Sequence, residues 1–374
     1  MDAHRRHLNS KPLLALLLFF LLTRFAILGV AHLAYARNPD TGWLPSSGER
    51  GDLHRGDAPP GLVAPLARWD ALYYSDIARN GYPEPTGAPV FHAAFFPLYP
   101  LLVRAVTPIT GNTFWAAVLV ANASTLLTVL LLYRLVTSRF GREVGLAAAC
   151  AFVASPGSHF LSFPYTEGLF ALLLVAALWL LERDRLLAAG LVGAFATATR
   201  STGVAVTAAL LILAWHSLKD ARTFFRATSA ALATLVGIGA YAVYCHVRFG
   251  DWLYFNDLQQ YWGRHPSIIG PARAFLAFRF DPDYYLVGLG AVVLLVMSWR
   301  KLPTPWFAMA AVLLMMPLAT GTLKSIIRLQ AVNVPLFITA ALWLRGRSLV
   351  IFIGASVLLM LYETARFCAG FANN

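Results

Sequence analysis

Long apolar runs follow one another along almost the whole chain, and short connectors between them hold many of the charged residues. Several runs contain about 17–25 residues, the length that an α-helix needs to cross the hydrocarbon core of a bilayer. Because a backbone in lipid must satisfy its own hydrogen bonds, these Leu- and Ala-rich runs are predicted to be helices rather than barrel strands. The pattern predicts about 11 spans, at 12–33, 113–133, 144–160, 165–181, two within 186–216, 228–247, 284–298, 305–320, 330–344 and 349–367.

Composition supports the same fold class. The 374 residues are 58% hydrophobic and 13% charged, whereas a soluble domain carries about 25% charged residues. A shortage of charge along the whole length indicates that lipid, not water, surrounds most of the chain. We therefore predict an all-α polytopic membrane protein, with residues 1–374 forming a single integral membrane domain.

Two polar segments interrupt the apolar pattern, at 34–95 and 248–283, and both are predicted to be long loops. Within the first, residues 67–80 are predicted to form a short amphipathic helix that stops at Gly81. Residues 95–109 are apolar but contain three prolines, so this piece is predicted to be interfacial or re-entrant rather than a crossing. That choice sets the orientation of every later span.

The basic residues predict the orientation. Fifteen of the 30 Lys and Arg residues lie in short connectors on the N-terminal side of the predicted bundle, together with only five of the 18 acids. The positive-inside rule therefore predicts a cytoplasmic N-terminus and two long loops on the extracytoplasmic face. The formal charge of +12 is explained by this topology, so nucleic-acid binding is not predicted.

Several kinds of site are unsupported by the sequence. The three cysteines lie far apart and fit no metal or redox spacing. No set of His, Asp and Glu residues shows zinc spacing, and there is no phosphate-binding glycine loop. The first apolar run contains Arg24 and lacks a small-residue cleavage site, so an uncleaved first span is expected rather than a signal peptide.

With the predicted topology, a group of polar side chains falls on one extracytoplasmic rim. Polar groups at membrane level are costly and tend to mark a pathway or a site. An acid, several bases and nearby tryptophans suit one task, in which cations hold an anionic lipid head group while a carboxylate removes a proton from an acceptor. The candidate residues are Trp69, Asp70, His159, Tyr165, Glu167, Arg200, Trp262, Lys324 and Arg328.

Structural roles remain open for these candidates. Asp70 also suits the first turn of a helix, and Glu167 suits a helix cap or a pair with a nearby arginine. Arg200 and Arg328 also suit interfacial anchors for lipid phosphates. His159 also suits a local hydrogen-bonding role, and Trp262, with Trp252, suits an aromatic belt at the membrane surface.

Four motifs resemble one known family. R-W-D-A-L-Y-Y-S-D-I-A-R-N-G-Y at 68–82, followed by F-F-P-L-Y-P-L-L at 95–102, resembles the PIG-V type of mannosyltransferase, the GPI mannosyltransferase 2 family and its bacterial relatives. The likeness continues at 155–173, at A-T-A-T-R-S-T-G (196–203) and at 324–337. The pairing of W-D with F-F-P-L-Y-P is the most specific part, and order and spacing are kept over most of the chain.

The resemblance implies a GT-C glycosyltransferase that moves a hexose, most simply mannose, from a polyprenyl-phosphate carrier to an extracytoplasmic lipid or glycan acceptor. It implies that Asp70 is the catalytic base and that Trp69 and Glu167 belong to the site. The residues predicted to bind substrate are Trp69, His159, Tyr165, Glu167 and Trp262. Arg200, Arg328 and Lys324 are assigned to the carrier phosphate. Leu329 departs from the family pattern, in which an aromatic residue often follows the arginine.

The implied reaction is an inverting single displacement without metal or other cofactor, in a bacterial plasma membrane. The sequence alone is also compatible with two other functions. A lipid or polysaccharide flippase, or another transporter, also suits broken helices and charges at a membrane surface. A non-catalytic subunit of a membrane complex suits the composition but leaves the R-W-D segment unexplained.

Overall fold

The computed structural model describes residues 10–37, 59–85, 87–277 and 279–370. These residues form α-helices and short 3-10 turns, and no strand occurs among them. The helices are α1 (Ser10–Arg37), α2 (Asp70–Asn80), α3 (Leu98–Thr110), α4 (Thr113–Phe140), α5 (Arg142–Val153), α6 (Glu167–Leu181), α7 (Leu186–Thr199), α8 (Val204–His216), α9 (Ala221–Phe249), α10 (Tyr254–Asp257), α11 (Gly270–Leu276), α12 (Pro282–Ser298), α13 (Thr304–Ala319), α14 (Ile326–Gln330), α15 (Val334–Trp343) and α16 (Arg347–Cys368).

The predicted spans coincide with helices of this structure. Four of the described helices, α1, α4, α9 and α16, are long and apolar enough to cross a membrane. The other spans correspond to the shorter helices α5, α6, α7, α8, α12, α13 and α15. The helices of the 186–216 hairpin, α7 and α8, are separated by a 3-10 turn, Ser201–Gly203, with Arg200 at the bend.

Small residues allow the shorter helices to pack backbone to backbone. A side chain at Gly190, Gly193 or Gly237 would collide with the facing helix of the α7–α9 pair. Lipid supplies little hydrophobic drive for helix association, so close packing and interhelical hydrogen bonds take its place. One such bond joins Thr197 Oγ1 of α7 to the carbonyl of Thr234 on α9, at 2.6 Å.

Some predicted boundaries were wrong. The span predicted at 144–160 ends as a helix at Val153, because the chain then enters a turn and a 3-10 helix, Ser158–Leu161. Helix α1 continues to Arg37, beyond the predicted start of the first loop. The proline-rich segment contains α3, a helix of 13 residues with Pro108 inside it.

Arg24, within the first predicted span, points into the bundle. Its guanidinium donates to the carbonyls of Val153 and Ser158, each at 3.0 Å, and to Ser162 Oγ at 2.8 Å. These contacts connect α1 to the turn between α5 and α6. The positive charge is thus solvated by oxygen atoms of the protein and not by lipid head groups.

The two predicted long loops fold against each other over one end of the bundle. The backbone N–H of Val90 in the first loop donates to the Tyr254 hydroxyl in the second, at 2.9 Å. The rings of Phe91 and Trp262 meet edge to face, with centroids 5.7 Å apart. Residues 1–9 and 38–58, which include the predicted cytoplasmic start and part of the first loop, lie outside the described residues.

Candidate active site

A cavity of about 720 Å³ lies between these packed loops and the ends of several helices. Its lining comes from α2, the 3-10 turn after α7, the second loop, the end of α13 and the α14 region. Most of the lining is aromatic or apolar, and the charged residues are few. The charged lining residues are Asp70, Arg200, Arg264, Lys324 and Arg328.

Asp70 is the first residue of α2, and an unusual backbone conformation places it there. Trp69 precedes the helix with φ 53° and ψ −120°, a region that non-glycine residues seldom occupy. The indole N–H of Trp69 is buried without a hydrogen-bond partner in the described part of the chain. A buried unsatisfied donor costs free energy, so this N–H in the cavity lining is suited to a ligand oxygen.

Arg328 reaches the same cavity from α14. Ser325, just before this short helix, has φ 63°, which turns the chain sharply into it. The turn at Gly157 packs directly on the other side, where a Cβ would collide with the carbonyl of Ile327. The guanidinium of Arg328, held in this way, forms an ion pair with Oδ2 of Asp70.

Glu167 lies beneath the cavity and joins two of the arginines. It is the first residue of α6, where the helix dipole favours a negative charge, and its side chain is fully buried. One of its oxygens, Oε1, pairs with Arg200 and lies 3.2 Å from Nε of Arg328. Arg200 also donates to Thr166 Oγ1 at 3.1 Å.

Arg264 is a cavity residue to which the sequence analysis assigned no role. Its guanidinium donates to Gln259 Oε1 at 2.6 Å, and no carboxylate pairs with it in the part of the chain described. Burial lowers the pKa of Arg264 to about 10, and the nearby positive charge of Arg328 acts in the same direction. Arg264 lacked a sequence signal because its isolated position in a polar loop matches that of many surface arginines.

Of the remaining residues predicted from the sequence, four line the cavity and His159 does not. Trp69, Tyr165, Trp262 and Lys324 line it, and the Tyr165 hydroxyl donates to the carbonyl of Arg68 at 2.9 Å. His159 is not part of the lining. Its ring is fully buried and packs against Phe160 and Phe163, with centroids 4.2 and 5.4 Å away.

The second candidate belt residue, Trp252, also lies apart from the cavity. It is half exposed and stacks on His246, with ring centroids 4.2 Å apart. The two tryptophans that the sequence grouped together therefore differ, since Trp262 lines the cavity and Trp252 does not.

Positive charge predominates among the described residues of the cavity. The guanidiniums of Arg200, Arg264 and Arg328 outnumber the carboxylates of Asp70 and Glu167, and Lys324 also lines the cavity. A partly enclosed site with excess positive charge and planar guanidinium donors is suited to a phosphate group. The aromatic walls beside it are suited to a neutral ring.

Comparison with known proteins shows the family of the chain. The family model described as Mannosyltransferase (PIG-V) matches residues 13–247. The chain belongs to the PIG-V mannosyltransferase family. The match contains Trp69, Asp70, Glu167 and Arg200, whereas Arg264, Lys324 and Arg328 lie beyond it.

Curated relatives of this PIG-V family chain carry related names. GPI alpha-1,6-mannosyltransferase 2 of Cricetulus griseus is 35% identical over 162 residues, which are 40% of this chain and 32% of that protein. The Homo sapiens protein of the same name is 34% identical over 155 residues, or 38% and 30% of the two chains. The matched segment thus spans about a third of the length of these relatives.

A solved structure shares the fold. ArnT from Cupriavidus metallidurans aligns with a TM-score of 0.55 and 16% identity, over 90% of this chain and 63% of that one. The predicted fold class, an all-α polytopic GT-C-like membrane protein, is confirmed by this likeness and by the helical architecture.

Proposed function

We propose that this protein transfers mannose from a polyprenyl-phosphate-linked donor to a hydroxyl of an extracytoplasmic lipid or glycan acceptor. Membership of the PIG-V family supports the sugar and the reaction type. The charges around the cavity support a phosphate-linked donor. The solved relative was crystallised with undecaprenyl phosphate, a carrier of the chemical class proposed here.

The main observation behind the proposal is that Asp70, Arg200 and Arg328 line a single cavity. Asp70 and Arg328 are 258 residues apart in the chain, yet their side chains are paired. Glu167 then connects Arg328 to Arg200. A cavity-lining carboxylate beside a group of guanidiniums is suited to base-assisted transfer from a phosphate leaving group.

The arginines are assigned to the carrier phosphate. Arg200, Arg264 and Arg328, with Lys324, stabilise the charge that grows on the phosphate as the glycosidic bond breaks. Guanidinium groups suit this task because their donors are planar and paired. With these cations offsetting the charge, the proposed leaving group needs no metal ion.

The sugar is assigned to the aromatic side of the cavity. Trp69, Tyr165 and Trp262 line the cavity there, and the indole N–H of Trp69 offers a hydrogen bond to a sugar hydroxyl. Tyr74 also lines this side. Burial, with the charge of Asp70 beside it, raises the pKa of Tyr74 above its usual range, so Tyr74 stays a neutral phenol.

The proposed step is a single displacement. The acceptor oxygen forms a bond to the anomeric carbon, and Asp70 takes the hydroxyl proton. The bond from that carbon to the phosphate oxygen breaks, and its electron pair leaves with the polyprenyl phosphate. Attack from the face opposite the leaving group inverts the anomeric centre.

The basic connectors between the spans indicate which side of the membrane the proposed site faces. The positive-inside rule places them in the cytoplasm, so both long loops and the cavity face the other side of the membrane. The proposed location is a bacterial plasma membrane, with the donor entering from the outer leaflet.

The direct test is a transfer assay. Purified protein in detergent is incubated with radiolabelled polyprenyl-phosphate-mannose and a panel of lipid and glycan acceptors, and we expect label to move to an acceptor. Label that stays on the carrier with every acceptor would contradict the proposal. Movement of the intact carrier across a proteoliposome membrane, without transfer, would support the transporter function instead.

Replacing Arg264 with Gln is expected to raise the KM for the donor about tenfold, the effect of losing about 1.4 kcal/mol of binding. The reason is that Arg264 lacks a carboxylate partner in the described structure and is therefore available to an anion. The measurement is KM for the labelled donor in detergent, with kcat followed separately.

Arg248→Gln is the control for this change. Arg248 lies in the last turn of α9 and pairs with the exposed carboxylate of Glu84. We expect its KM to match that of the wild-type protein. Equal KM values for the two variants would exclude Arg264 from the phosphate site.

A further inference from the structure

A second depression of about 520 Å³ lies on the surface of the bundle near the candidate active site. Helices α2 and α3 form one side, and α7 and α9 form the other. Its floor is made of small residues where α7 and α9 pack most closely, which are Ala194, Ala198, Gly237 and Ala240. We call this depression the α3–α9 groove.

Three polar side chains of the groove lining hydrogen-bond to backbone carbonyls. The hydroxyl of Tyr82 donates to the carbonyl of Phe95 at 2.6 Å, and that of Tyr241 donates to the carbonyl of Ala93 at 2.8 Å. Arg104 at its edge donates from Nε to the carbonyl of Ala78 at 2.6 Å. With these hydroxyls engaged, and with mostly apolar residues around them, the lining suits a hydrocarbon.

The groove is open to lipid at the same end of the bundle as the cavity. Phe195 of α7 and Val236 of α9 border it and are both more than half exposed. The floor residues of α7 belong to the last part of that helix, just before Arg200. Under the topology of the proposed function, this places the groove at the depth of the outer leaflet.

Three separate segments run from the cavity into the groove within about one helical turn. Each contributes one residue to the cavity lining and a close neighbour in the chain to the groove lining. The pairs are Tyr74 and Ile77 of α2, Phe96 and Pro97 before α3, and Arg200 and Ala198 at the end of α7.

We infer that the α3–α9 groove binds the polyprenyl chain of the donor whose phosphate contacts Arg200. The inference rests on the proposed function, and it adds the place where the hydrocarbon lies. A carrier with a charged head and a long branched apolar tail matches a cationic cavity that continues, along three segments, into an apolar groove. Small floor residues leave room for the methyl branches of an isoprenoid.

A photo-crosslinking experiment tests the location without relying on turnover. A polyprenyl phosphate with a diazirine near the middle of its chain is added to the protein in nanodiscs, and crosslinked peptides are mapped by mass spectrometry. We expect labels on α3, α7 and α9 at the groove. Labels confined to other faces, such as α1 or α16, would overturn the inference.

Filling the groove supplies the second measurement. Ala240→Phe adds a ring above the floor, and it is expected to reduce both the groove crosslinks and the preference for a long over a short prenyl chain, each about tenfold. Val243→Phe, on the same helix but outside the groove lining, is the control. Equal crosslinks and equal chain preference in the two variants would contradict the groove assignment.

The two proposals fail separately in this design. Groove crosslinks without sugar transfer in the wild-type protein would leave the carrier site standing and remove the transferase function. Sugar transfer with crosslinks only at other faces would keep the function and remove the groove.

Discussion

Replacing Asp70 with Asn is expected to lower mannosyl transfer by at least about 10³-fold, within the range that a positioned general base contributes. Asn has almost the same shape, and its carbonyl oxygen still accepts a hydrogen bond from Arg328, but it does not take the acceptor proton. Glu167 continues to pair with Arg328, so the fold is expected to survive. The measurement is kcat with labelled donor, alongside the thermal unfolding temperature in detergent.

Two comparisons make the Asp70 result interpretable. Asp184→Asn removes an exposed carboxylate that pairs with Arg226 at the far end of α6, and we expect wild-type turnover. Asp70→Glu keeps the charge but moves it by one methylene, and we expect an intermediate rate. Turnover of the Asp70→Asn protein close to wild type would remove Asp70 from the role of base.

Replacing Glu167 with Gln is expected to destabilise the protein by about 3 kcal/mol, the usual cost of removing one member of a buried ion pair. The reason is that one buried carboxylate serves both Arg200 and Arg328, and an amide leaves their two positive charges without it. The donor KM is expected to rise as well, because the two guanidiniums lose the group that positions them. Thermal unfolding and KM measure the two effects.

Glu182→Gln provides a matched control at the other end of the same helix. Glu182 follows α6 and pairs with Arg139 in a partly exposed position, at 2.7 Å. A solvent-exposed pair contributes about 0–1 kcal/mol, so this variant is expected to unfold close to the wild-type temperature. If the two Gln variants unfold alike, the buried carboxylate does not hold the site together.

Local sequence predicted helix positions and helix ends where these depend on one residue type acting on its near neighbours. Apolar length predicted the spans, and Gly81 predicted the end of α2, where it adopts φ 83°. The prolines of 95–109 predicted an interfacial or re-entrant piece, which stays a prediction, and the segment contains the 13-residue helix α3. In each case the deciding interaction is made with near neighbours in the chain or with lipid.

The candidate site could be predicted only in part. The cost of burying charge drew attention to Asp70, Glu167, Arg200 and Arg328, and all four meet in or under one cavity. The same argument selected His159, which packs among aromatic rings away from that cavity. A polar residue near a turn has the same local pattern whether it faces a cavity or a core.

Arg264 is the opposite case, a cavity residue that the sequence did not predict. It stands in a polar loop with no pattern around it, and it enters the cavity because the second loop folds over the first. The contact depends on two segments more than 150 residues apart. Neither segment carries a local signal for the other.

The sequence by itself determined that this chain lies in a membrane as a set of helices, and its motifs indicated the family. Both follow from interactions that each segment makes alone, since hydrophobic length and turn residues act locally. Only the tertiary structure decided that Glu167 joins two arginines, that Arg328 pairs with Asp70, and that an apolar groove continues from the cavity. Those facts depend on how closely α6, α7, α9 and α14 pack, and helix packing is set by many weak contacts between distant residues.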